Sequence, residues 1–345
     1  MALRWSWSFG NETTADLTAM AWTPSGGGLT LTSDADKVYS YTGSPTRYGW
    51  IFDGLFGGLV LPASVGAGLT NGWLAAPIKS AVSSGFNSDP IFRVIGTRGA
   101  RIDAQVTSSG ALSLYVANVF KETTPAIDWL SWRYVALRFD FSANPWTGQI
   151  WVDGAALTSL ATEADAADTV GDLRIQGPAR FATSDGYISQ VVVWDSVSDS
   201  GEAAQYVTRV DATADGTNVG TWTPSVGSDD FAVVGSPFDA ATYTEEAAPS
   251  ALDRVEVVTP TLASALGVTP SSVAAVTAHT YSEGQAITAR AVVGDGGAGE
   301  TSGTTTAISA TTTTYAYVTA DTAPTSAAAW TGTDAVDLVY EVVTV

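Results

Sequence analysis

Cysteine is absent from all 345 residues, which removes disulfide frameworks, thiolate metal sites and cysteine nucleophiles in one step. Histidine occurs once, at His279. A serine-histidine-acid triad or a multi-histidine zinc site has almost no material to work with, and any metal would be an oxygen-liganded ion such as calcium. Lysine is nearly as scarce, at Lys37, Lys79 and Lys121 only. With 15 basic against 35 acidic residues and a formal charge of −20, few cations are on offer to displace counterions from phosphates. Nucleic acid is therefore not an expected partner, and an anionic membrane surface is disfavoured by the same sign. No apolar run of about 18 residues occurs, so no membrane insertion is expected. The start, Met1-Ala2-Leu3-Arg4-Trp5-Ser6-Trp7, lacks the basic opening and apolar core of a secretory signal. The expectation is a protein made in the cytoplasm without other cofactors.

What is present points to strands. The chain holds 34 glycines, 14 prolines and 45% hydrophobic residues, together with many Thr, Ser, Val and aromatic side chains that suit a pleated, half-buried surface. In Tyr134-Val135-Ala136-Leu137-Arg138-Phe139-Asp140-Phe141, alternation puts Val135, Leu137, Phe139 and Phe141 on one face, which predicts a strand with one core face. Gln149 to Val152 then meets Asp153-Gly154, a dipeptide suited to a tight hairpin turn. Similar signals span 110–116, 172–175, 187–194, 272–280, 286–293, 313–319 and 336–343, while 200–207 reads as a short helical turn. The fold class is all-β, with two antiparallel β-sandwich domains of jelly-roll type.

Ten of the twelve tryptophans precede residue 206, and only Trp222 and Trp330 follow it. Division after Val207 leaves 12 basic and 19 acidic residues, net −7, in the first part, and 3 basic and 16 acidic, net −13, in the second. Residues 208–250 are rich in Gly, Asp, Ser and Pro and read as a connector. The predicted organisation is 1–207 and 251–345 as domains, joined by 208–250.

Four segments carry a resemblance: Trp132-Arg133-Tyr134-Val135-Ala136-Leu137, Gly148 to Gly154, Leu173 to Gly177, and Asp185 to Trp194. In order and spacing they resemble the laminin G-like, concanavalin A-like jelly rolls. That likeness implies a β-sandwich first and glycan binding only second. Residues 208–345 resemble a β-sandwich module of tailed-bacteriophage virion proteins. The landmarks are Gly220-Thr221-Trp222-Thr223-Pro224, Ala240-Ala241-Thr242-Tyr243, the strands around Ala278 to Val293, and Pro324 to Ala335 with Trp330-Thr331. This resemblance implies localisation on a virion, assembly with other virion proteins, and the homotrimeric habit of phage appendages.

Glu163, Asp165 and Asp168 have the Glu-x-Asp-x-x-acid spacing of a glycosidase family on the same jelly roll. The third acid is Asp rather than Glu, however, and alanines intervene, so a solvated acidic connection is the expectation. Sugars stack on exposed aromatic rings, which makes Trp146, Trp50 and Trp73, each beside turn residues, the candidate ligand contacts. Asp34 and Asp36 are the candidate calcium ligands. His279 reads as an ordinary polar strand residue. Arg93, Arg98 and Arg101 form the one local basic cluster. The functional expectation is a non-enzymatic virion surface protein, at a tail tip, fibre or head appendage, that contacts host-surface glycans. A ligand-free capsid-decorating protein and a polysaccharide hydrolase are the alternatives.

Overall fold

The computed structural model describes residues 3–8, 17–18, 22–25, 29–32, 49–53, 58–178, 184–198, 207, 212–220, 222–225, 227–230, 244–246, 253–266, 273, 275–282, 288–308 and 314–344. The chain forms two compact units, one of Met1–Phe9, Trp22–Tyr41 and Thr46–Val207, the other of Gly10–Ala21, Thr42–Pro45 and Thr208–Val345. Both are built almost wholly from antiparallel strands.

The first unit contains β1 (Leu3–Ser8), β2 (Thr23–Ser25), β3 (Leu29–Thr32), β4 (Gly49–Asp53), β5 (Gly58–Val60), β6 (Asn71–Ser80), β7 (Pro90–Gly96), β8 (Arg101–Val106) and β9 (Leu112–Val116). It continues with β10 (Val119–Thr123), β11 (Arg133–Asp140), β12 (Trp146–Val152), β13 (Ala155–Ala156), β14 (Ala161–Glu163), β15 (Val170–Ile175), β16 (Ser184–Ile188) and β17 (Gln190–Trp194). One sheet runs β13-β12-β11-β6-β16-β4-β3, with β17 joining β6 to β1 and β14 pairing with β12. The other runs β10-β9-β8-β7-β15-β5-β2.

The two sheets face each other. Strand β12 alternates strictly, burying Trp146, Gly148, Ile150 and Val152. Gly148 is small because the opposing sheet is close: a Cβ there would come within 3.0 Å of Ile102 Cγ2 and 3.1 Å of Val116 Cγ2. Val135, Leu137, Phe139 and Phe141 are buried as alternation requires. The single-core-face expectation needs correction, because Tyr134 and Ala136 on the opposite face are buried too, as are Trp73 and Trp194 beside them. The predicted turn is as expected, with Asp153 at φ 51° and Gly154 at φ 79°, the left-handed conformation that two-residue hairpins demand. Asp153 also clamps the hairpin's base, accepting from Tyr134 N and Arg133 Nη1, each at 2.9 Å.

The second unit contains β18 (Ala214–Asp215), β19 (Trp222–Pro224), β20 (Thr244–Glu246), β21 (Arg254–Val258), β22 (Val276–Ser282), β23 (Thr288–Gly294), β24 (Glu300–Ser302), β25 (Thr306–Ala307), β26 (Thr314–Ala320) and β27 (Asp337–Thr344). Its main sheet runs β18-β21-β27-β23-β24, with β25 on β23, and the pairs β19-β20 and β22-β26 stand apart. Ala278, Ala291, Val293, Val318, Ala320 and Trp330 share one core, so β22-β26 packs over β23. Trp330 fixes that core by donating from Nε1 to Ala320 O at 2.8 Å. Residues 208–250, read from composition as a connector, supply β18, β19 and β20. Turn-forming residues between very short strands have the composition of a linker. The helical turn expected at 200–207 lies outside the described residues, apart from Val207.

Candidate functional site

Register in the second sheet of the first unit lines up one residue per strand: Phe120, Tyr115, Asp103, Arg93, Arg174 and Val60. The residues alternating with them, among them Phe92, Val94, Ile102, Leu114 and Val116, are buried in the core, so the row lies on the sheet's outer face. Its aromatic end is exposed. Phe120 is 53% accessible and meets Tyr115 edge-on, ring centroids 5.7 Å apart.

Asp103 in mid-row is fully buried beneath side chains of its own face. Arg93 Nε donates to Oδ1 at 3.1 Å, Arg101 Nε lies 2.6 Å from Oδ2, and Gln105 Nε2 donates to Oδ2 at 3.3 Å. A buried carboxylate persists only when paired and hydrogen-bonded, and two guanidiniums meet that condition. Next along, Arg174 Nη2 donates to Asp172 Oδ2 at 2.8 Å.

Beside this row opens a cleft of about 370 Å³ whose polar lining includes Asp89, Arg93, Gln105, Arg174 and Gln176. Asp89 precedes β7 and is held on both sides by its backbone. Its N donates to Asn87 O at 2.9 Å, and its O accepts from Val106 N at 3.0 Å. Burial pushes the Asp89 carboxyl up, against the charge of Arg93 and a hydrogen bond from Asn87. Two buried atoms of the lining, Asp89 Oδ2 and Arg174 Nε, have no hydrogen-bond partner among the described residues.

Of the residues singled out from sequence, Arg93 lines this cleft, whereas Trp146 and Trp73 lie elsewhere. Trp146 is fully buried, its ring tilted against Phe141 with centroids 4.3 Å apart and Nε1 donating to Ala166 O at 2.9 Å. Its expected exposure is overturned because the 161–168 connection returns along β12, pairing Glu163 with Trp146. Trp73 is also buried, edge-on to Trp151 at 6.0 Å. Trp50 lies in β4, and its side chain is not described; Asp34 and Asp36 lie outside the described residues. Among the described residues, no group of three His, Asp or Glu side chains is placed to hold a metal ion, and no helix is long and apolar enough to cross a membrane.

The acidic connection is ordered rather than merely solvated. Lys121 Nζ pairs with Glu163, while Arg98 reaches Asp165 at 3.4 Å and Asp168 at 3.6 Å. Asp168 also accepts from Thr97 Oγ1, from Arg98 N at 3.1 Å and from Thr169 N at 2.8 Å. The hydrogen bond from Lys121 holds the Glu163 carboxyl below its ordinary range. Burial drives Asp168 upward, but the hydrogen bonds from Thr97, Arg98 and Thr169, with the Arg98 charge, outweigh it and leave a net lowering. A general acid needs the opposite shift. The basic cluster also divides, with Arg93 and Arg101 on Asp103 and Arg98 on the acidic connection. His279 is half-buried, with Nδ1 2.8 Å from Tyr315 Oη.

Sequence reasoning missed Asp89, Gln105, Arg174 and Gln176 of the cleft lining, and exposed Phe120 on the same sheet face. Only Phe120 left a signal, since Val119-Phe120-Lys121 follows Ala117-Asn118, which forms a turn at φ 47° and 67°.

No family model matches this chain, and no curated protein does. Among solved structures it is similar to a Trypanosoma rangeli sialidase in complex with sialic acid, at 18% identity over 47% of this chain and 28% of that one, TM-score 0.35. It is also similar to domain 4 of AbnA, a GH43 extracellular arabinanase from Geobacillus stearothermophilus, in complex with arabinotriose, at 13% identity over 58% and 95%, TM-score 0.38. The Ruminococcus gnavus IT-sialidase CBM40 bound to α2,3 sialyllactose is similar at 18% identity over 40% and 81%, TM-score 0.28. The chain spans less than a third of the length of the sialidase it matches. At these scores the likenesses carry no argument about ligand or activity.

Proposed function

We propose that the protein is a non-enzymatic surface component of a tailed-phage particle, at a tail tip, fibre or head appendage, whose first unit contacts host-surface glycans. The observation that carries the glycan part is the Phe120–Tyr115 pair standing on the same sheet face as the polar cleft. A sugar offers an apolar ring face edged by hydroxyls, and an exposed aromatic that shares a sheet face with fixed donors and acceptors complements both. The ion pairs of Glu163, Asp165 and Asp168 favour contact over cleavage. Support for the virion part is the landmark order of residues 208–345, and assembly as a homotrimer with other virion proteins belongs to the same proposal.

Phe120→Ala removes an exposed ring, so attachment of the full-length protein to host cells should fall several-fold with the melting temperature unchanged. Immunogold should label the particle surface, and native mass measurement should give a trimer. Undiminished attachment rejects the glycan face, unlabelled particles reject the virion role, and a monomer rejects the assembly. Labelled particles whose protein attaches to no host cell would instead favour the decorating role.

A further inference from the structure

The cleft contains more than the glycan-contact reading uses. We infer that it seats one uncharged sugar residue, whose adjacent hydroxyls bridge Asp89, Arg93 and Arg174. This inference rests on the glycan-contact reading and narrows it to a ligand class and a place.

Polarity is the first argument. Among the described residues, Asp89 Oδ2 is a buried acceptor without a donor, and Arg174 Nε is a buried donor without an acceptor. Both residues line the same cleft. Buried polar groups are satisfied almost without exception, so orphans of opposite sense on two residues of one lining call for a group that donates and accepts together. Neighbouring hydroxyls of a sugar ring do this. Each oxygen gives one hydrogen and keeps lone pairs for a guanidinium. Arg93 Nε is committed to Asp103, and none of the described residues accepts from its Nη groups, which leaves them available to the same ligand.

Charge is the second argument, and it decides against an acidic ligand. Arg93 and Arg101 share Asp103, and Arg174 is paired with Asp172. Asp89 brings the third carboxylate to three guanidiniums. An anion would gain no net local field here, would meet Asp89, and would approach a chain of net charge −20. A metal cation is equally poorly served by one carboxylate beside two guanidiniums. Size agrees, since about 370 Å³ lies at the small end of the range for sites that hold a compact ligand. Arg93, Gln105 and Arg174 stand on paired strands, and the Asp89 backbone is hydrogen-bonded on both sides, so the geometry is set before a ligand arrives.

The test is calorimetric titration of the full-length protein with cellotetraose, maltotetraose and mannotetraose, against tetragalacturonate and sialyllactose. At least one neutral sugar should bind, with affinity changing less than about twofold between roughly 0.05 and 0.5 M salt, because no net charge is brought together. Asp89→Asn should weaken that binding about tenfold or more. Asn87 occupies one carboxylate oxygen, so the amide nitrogen takes the place of Oδ2 and turns an acceptor into a donor. Arg93→Lys, which keeps a cation beside Asp103 but removes the guanidinium fork, should cost several-fold. Binding by the acidic sugars alone, or by none, overturns the inference. Neutral-sugar binding unmoved by either variant also overturns it and leaves glycan contact standing. Host attachment lost in Phe120→Ala yet intact in Asp89→Asn separates the two in the same way.

Discussion

Asp168 and Asp89 are carboxylates of the same unit in opposite circumstances. Asp168 receives hydrogen bonds from Thr97, Arg98 and Thr169 and has a guanidinium close by, so its carboxyl lies below the ordinary range. Asp89 has a buried oxygen with no hydrogen-bond partner among the described residues, and its carboxyl lies above that range. The corner around Asp168 is closed, for Trp146 fills the space beneath, and a Cβ on Gly96 would strike the Asp168 carboxylate and crowd the Trp146 ring at 3.2 Å. The cleft at Asp89 is open. A polar group fully used by its own chain is part of the scaffold, whereas one that the chain positions and leaves unsatisfied is available to something else.

The largest expected effect tests the closed corner. Trp146→Ala should destabilise the first unit by about 3 to 5 kcal/mol, since it empties a buried aromatic site, ends the ring contact with Phe141 and removes the Nε1 hydrogen bond to Ala166 O. Denaturant unfolding measures this. A loss below about 1 kcal/mol would mean the ring is peripheral, and the contrast with the cleft would disappear.

Asp168→Ala comes next, at about 2 kcal/mol at neutral pH, because the donors from Thr97 and Arg98 lose their acceptor. A lowered native pKa means the folded state holds its proton less tightly than the unfolded chain. The stabilisation is therefore complete above the ordinary Asp value of about 3.9 and fades as pH falls through the lowered one. Wild type and variant should converge in acid. A gap that stays constant down to about pH 2 would show that lost packing, not the ionised carboxylate, is responsible.

The same contrast shows what the sequence could and could not yield. Alternation around Val135 to Phe141 and the Asp153-Gly154 turn were readable because each rests on neighbours in the chain. The second face of that strand was not, since burial of Tyr134 and Ala136 depends on what covers the sheet. Trp146 beside Pro145 and Gly148 resembles a loop-tip aromatic, and only the later return of β14 along β12 explains why it is buried. Arg93 and Arg174 are distant in sequence and become neighbours through the register of β7 with β15. Periodicity tells which face a residue occupies but carries no information about which strand lies alongside.

The smallest effect has the opposite sign and is the sharpest test of the comparison. Asp89→Asn should stabilise the protein at neutral pH, by no more than about 1 kcal/mol once solvent screening is allowed for, because it discharges a buried oxygen with no donor among the described residues. For a carboxyl raised in the native state, the proton is held more tightly in the fold than in the unfolded chain. Its contribution to stability is complete below the unfolded value of about 3.9 and declines as pH rises through the native one. The variant should match wild type near pH 3 and gain on it toward neutrality, whereas Asp168→Ala gains on wild type only as acid is added. Paired melts of the two variants across this range expose the crossing trends without any ligand. A destabilised Asp89→Asn at neutral pH would mean that the chain already satisfies that oxygen. The cleft would then be as closed as the Trp146 corner, and the carboxylate would have nothing to offer a sugar hydroxyl.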